Sequence, residues 1–80
     1  MVGGNWQSSS KSSWLTRAAL TLRSSKIATI RNLEVKADDV GIVLHGRVHL
    51  YYYKQLAQEL IRSELADIPI FNEIEVVEPH

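Results

Sequence analysis

The sequence predicts an α+β domain of order α-β-β-α-β, with a three-stranded mixed sheet, two helices packed on one face and the other face open. Three observations predict it. Two stretches, residues 15–22 and 53–65, repeat apolar side chains with the period of a helix. Three others, 33–37, 42–48 and 70–76, alternate apolar and polar residues as half-buried strands do. In so short a chain two helices can cover only one face of a sheet.

The elements follow in order. Residues 1–12 are mainly Gly, Ser and Asn and read as a flexible tail, with Trp6 as an exposed or loosely packed ring. The folded domain then runs over 13–78. Leu15, Ala18, Ala19 and Leu22 form the stripe of the first helix, with Ser12 or Ser13 as its cap and an end near residue 25. Leu33, Val35 and Ala37 alternate with Glu34 and Lys36 in the first strand. The turn "DDVG" leads into "IVLHGRV", where Ile42, Leu44, Gly46 and Val48 share one face and Val43, His45 and Arg47 the other. The short link makes these strands an antiparallel hairpin. The second helix spans about 50–65, with Tyr53, Leu56, Ala57, Leu60, Ile61 and Leu65 as its stripe. Pro69 prevents its continuation and favours extended backbone at Ile68. "IFNEIEV" is the third strand.

Three consecutive tyrosines open the second helix. At about 100° per residue, Tyr53 falls within the apolar stripe, Tyr52 at its rim and Tyr51 on the polar side. Tyr53 is therefore expected in the core, and Tyr51 and Tyr52 are expected to face a partner.

Eighty residues form one domain at most, with a thin core and no room for a sizeable enclosed pocket. Hydrophobic residues make up 45% and charged residues 22%, an ordinary balance for a globular chain. With no cysteine there is no disulfide, thiolate metal site or cysteine nucleophile. The net charge is zero but divided. Lys11, Arg17, Arg23, Lys26, Arg31 and Lys36 face only Glu34 over residues 1–36, a balance of +5. Three bases face eight acids over 37–80, a balance of −5. Such a dipolar chain either sets a basic surface on phosphates or matches its two halves, within the domain or between copies. No segment reaches the roughly 18 apolar residues of a membrane span, and the opening "MVGGNWQSSSKSSW" has no apolar signal core, so the expected address is the cytoplasm.

With the elements placed, "LEVKADDVGIVLHGRV", a helix and "IFNEIEV" together resemble the BON domain family. Ile42-Val43-Leu44-His45-Gly46-Arg47-Val48 matches its V-x-L-x-G-x-V pattern, and Ile70-Phe71-Asn72-Glu73-Ile74-Glu75-Val76 its V-x-N-x-I-x-V pattern. The similarity covers roughly residues 14–77. The family's glycine six residues before Gly46 is replaced by Val40, with Gly41 one step later, and its glycine after the second helix by Asp67. The resemblance implies a non-enzymatic binding module attached to phospholipid or another membrane surface, or to a protein partner, often in the cell envelope. Gly46 is expected to admit a close helix backbone, and Asn72 to bond nearby backbone and fix the loop after Pro69. Both read as architectural.

The residues argue against catalysis and cofactors. His45 and His49 are four apart on extended chain, a span of about 13 Å, too long for one ion, and His80 is terminal. The serines lie in the tail or at helix ends, with no nucleophile elbow. Glu73 and Glu75 share a strand face too wet for paired acid–base work. There is no P-loop or G-x-G-x-x-G. A KH-like nucleic-acid role needs a G-x-x-G loop, whereas Gly41 and Gly46 are five apart and the second half is acidic. Two binding surfaces remain. Arg17, Arg23, Lys26 and Arg31 would meet anionic phospholipid. Val43, His45, Arg47, Phe71 and Val77 on the open sheet face, with Tyr51 and Tyr52, would meet a protein partner or a second copy.

Overall fold

The computed structural model describes the backbone of residues 3–77 and the side chains of residues 12–77. The chain builds α1 (Gly3–Arg23), α2 (Ala28–Arg31), β1 (Glu34–Ala37), β2 (Ile42–Val48), α3 (Tyr51–Glu64) and β3 (Ile70–Val76). Apart from the single turn of α2, this is the expected α-β-β-α-β order. The helical backbone begins at Gly3, upstream of the expected cap at Ser12 or Ser13 and over the stretch read as a tail. Once a helix is nucleated by packing, each added residue gains a hydrogen bond without a new nucleus, so weak formers such as serine can be included. The expectations for the ring of Trp6 and for His80 concern groups outside those described. The one-turn α2 comes from "ATIR", too short to show a period, and buries Ile30.

The sheet order is β1-β2-β3. β1 pairs antiparallel with β2, from Glu34 opposite His45 to Ala37 opposite Ile42. β3 runs parallel to β2, from Ile42 beside Ile70 to Val48 beside Val76, with α3 as the crossover that parallel strands require. The hairpin turn is held by Asp38, whose Oδ1 accepts the N–H groups of Val40 at 2.8 Å and Gly41 at 3.0 Å. Such side-chain bonding to backbone two or three residues on is what places Asp in turns.

The core lies between the sheet and the helices. Ala18, Leu22, Ile30, Leu33, Ile42, Leu44, Val48, Ala57, Ile61, Leu65 and Ile74 are buried, with Trp14, Tyr53, Leu56, Leu60 and Val76 among the side chains packed around them. The expected stripes hold with two shifts. Leu15 stays 38% exposed at the flank of α1, and Tyr53 is half-buried rather than enclosed, stacking edge-on with Tyr52 at 5.5 Å between ring centroids. Tyr53 lies in the first turn of α3, at the end of the helical layer.

Candidate functional site

The pleat of the sheet decides which side chains meet solvent. Directly opposite residues share a face, so the registers group Lys36 with Val43 and Phe71, Glu34 with His45 and Glu73, and Arg47 with Glu75. These rows form the face turned away from the core. Val43 and Phe71 make its apolar row, and Phe71 is 42% exposed. Beside it, His45 Nε2 lies 3.8 Å from Glu73 Oε1, and Arg47 Nε lies 3.4 Å from Glu75 Oε1. The face is thus a small apolar strip bordered by two cross-strand pairs and Lys36. Val43, His45, Arg47 and Phe71 share this face, as their alternation predicts. The pairing of Glu73 and Glu75 depends on the parallel register of β2 and β3, which no local pattern encodes.

Tyr51 and Tyr52 belong to the helical layer, not to this face. Tyr51 is 60% and Tyr52 61% exposed, so Tyr52 is as open as Tyr51 and not the rim residue expected. The four cations read as a phosphate-facing set do not converge. Arg17 turns to the end of α3, donating from Nη2 to the carbonyl of Glu64 at 2.7 Å, with the Glu64 carboxylate 3.9 Å away. Arg23, six residues on and so about 120° around the helix, lines the side of α1 toward β1. Arg31 donates from Nη1 to the carbonyl of Ser25 at 3.0 Å and ties down the link from α1 to α2. Lys26 is exposed within that link.

The two family-pattern residues are architectural, with partners other than those expected. Gly46 has φ +141°, a conformation that side chains rarely adopt. A Cβ there would lie 2.5 Å from Leu33 Cδ2, so the close neighbour is a side chain leading into β1 and not a helix backbone. Asn72 donates through Nδ2 to the Lys54 carbonyl at 2.9 Å and to Gln58 Oε1 at 3.0 Å, and its Oδ1 accepts the Ile74 N–H at 3.2 Å. It clasps β3 to α3 instead of fixing the loop after Pro69. Gly41 takes on that loop. A Cβ on it would collide with the Pro69 carbonyl, which accepts the Ile42 N–H at 2.9 Å.

Among the described residues, no three metal-ligating side chains gather, and no helix is long and apolar enough to cross a membrane. His49 stands apart from His45, with Nδ1 3.4 Å from the carbonyl of Val77. No family model matches the chain, and no curated protein matches it in sequence.

Proposed function

We propose that this chain is a non-enzymatic interaction module that holds a protein partner on its open sheet face. The observation that carries this is the Val43–Phe71 row, an aromatic and a β-branched residue side by side on a solvent-facing sheet. An aromatic anchor ringed by polar and charged groups has the make-up of an interface centre and rim. The resemblance to BON domains supports an attachment role in general and includes phospholipid among the ligands. A lipid surface would draw on Arg17, Arg23, Lys26 and Arg31. Electrostatic attachment to anionic lipid strengthens when cations cluster, and these four are spread over two sides of α1 and the following link. The protein-partner reading is therefore preferred, with a cytoplasmic address as part of it and the envelope as the alternative the resemblance implies.

Sedimentation with anionic vesicles at low salt tests the choice. The protein is expected to stay in the supernatant, and pelleting that is lost on changing the four cations to glutamine would favour the lipid surface. A Val43→Lys/Phe71→Lys variant is expected to fold and to lose partners that wild type and a Tyr51→Ala variant retain. Equal recovery by all three would refute a sheet-face site.

A further inference from the structure

A second surface lies on the opposite flank of the sheet, where α1 runs beside β1. A groove of about 380 Å³ separates them, with Leu15, Ala19 and Val35 among its apolar walls. Leu15 remains 38% exposed there. Arg23 and Lys36 also line it, against the single carboxylate of Glu34.

The groove adjoins the β1 edge of the sheet. Among the described residues, β1 pairs in the sheet with β2 alone. The Asp38 N–H donates to the Gly41 carbonyl at 3.0 Å, which makes that opposed pair a hydrogen-bonded one. Bonded and non-bonded pairs alternate in an antiparallel ladder, so Lys36 and Glu34 point their backbone groups at β2 while Val35 and Ala37 point theirs outward. The other sheet edge is guarded. Bonds from Ile42 to Pro69 and from Val77 to Val48 set the parallel ladder so that the Ile74 N–H faces away from β2, and the Asn72 side chain occupies it. Glu73 and Glu75 add like charge that opposes pairing of one β3 with another.

We propose that the α1–β1 groove takes an extended acidic segment of a partner protein. It adds a strand to β1 through Val35 and Ala37, seats an apolar side chain over Leu15, Ala19 and Val35, and sets a carboxylate against Arg23 and Lys36. Strand addition supplies main-chain hydrogen bonds, and the groove beside the edge supplies selection by side chain. The preference for acid over base comes from two cations facing one anion. This surface meets the Val43–Phe71 row only at Lys36, which borders both, whereas Arg23 lines the groove and lies off the sheet face, so the Arg23 variant tests the groove separately.

The test is a titration of the ¹⁵N-labelled chain with three synthetic peptides: alternating Glu-Val, alternating Lys-Val, and the Glu-Val peptide with alternate N-methylated backbone. The Glu-Val peptide is expected to shift the amides of Val35 and Ala37 and those around Arg23. The Lys-Val and N-methylated peptides are expected to bind at least tenfold more weakly. Arg23→Glu and Lys36→Glu, both at exposed positions and checked for an unchanged melting curve, are each expected to weaken the Glu-Val peptide about tenfold and to improve the Lys-Val one. No shift at millimolar Glu-Val peptide, equal binding of both charge types, or shifts confined to Val43 and Phe71 would overturn the proposal. So would an assembly in which the groove is filled by a second copy, seen as concentration-dependent broadening at Val35 without peptide.

Discussion

Gly46 joins two constraints in one residue: a φ of +141° and a Leu33 methyl 2.5 Å from where a Cβ would stand. Gly46→Ala is expected to cost about 2–4 kcal/mol in urea unfolding, from backbone strain plus overpacking. Leu33→Ala placed in that background should relieve the collision and leave the strain, so a double-mutant cycle will show partial coupling. Asn72 serves two elements at once. Asn72→Ala is expected to cost about 1–3 kcal/mol, and Asn72→Asp more, because a carboxylate cannot donate to the Lys54 carbonyl 2.9 Å away. Tyr53 is half-buried, so Tyr53→Ala should cost about 1–2 kcal/mol, less than full enclosure would imply. Tyr51→Ala and Tyr52→Ala should stay within about 0.5 kcal/mol of wild type. The importance of Gly46 and Asn72 was legible in their positions within strand patterns. Their partners were not. Leu33, Lys54 and Gln58 meet them only after the sheet and helix pack, and nothing local encodes those distances.

At the scale of elements, the strands were the most legible because alternation has a period of two and a buried face enforces register. β2 and β3 occur where the pattern places them, and the antiparallel hairpin follows from the short Asp38–Gly41 turn. The faces of the sheet follow from the same alternation, which places Val43, His45, Arg47 and Phe71 on one side. The helix termini were less legible. α1 starts well before its apolar stripe, and α2 has no period to detect. The four cations of the first half misled for a related reason. A run of basic residues in sequence says nothing of direction, and α1 sends Arg17 toward α3 and Arg23 toward β1. Arg17 interacts with the final carbonyl of α3, where a cation complements the helix dipole. Arg17 and Glu64 are both half-exposed, so Arg17→Gln should lower the unfolding free energy by under about 1 kcal/mol, read in urea unfolding.

For the whole molecule, the opposed charges of the two halves resolve partly within the fold. Arg17 of the basic half meets Glu64 of the acidic half, and Arg47 meets Glu75 within the acidic half itself. What remains unspent is spatial: an apolar strip on the outer sheet face and a cationic groove beside β1. A domain this small has a thin core, so it has little stability to lose, and Leu44→Ala in the fully buried layer should remove about 3–4 kcal/mol and leave much of the chain unfolded at 37 °C. The proposed partner would cover Val43 and Phe71 on the outer sheet face. Replacing Phe71 with a photo-crosslinking phenylalanine analogue and irradiating intact cells tests this most directly, with Glu59 on exposed α3 as the control position. A discrete protein adduct at position 71 that is absent at 59 is the predicted result. Adducts of equal pattern at both positions, or lipid adducts alone at 71, would contradict it.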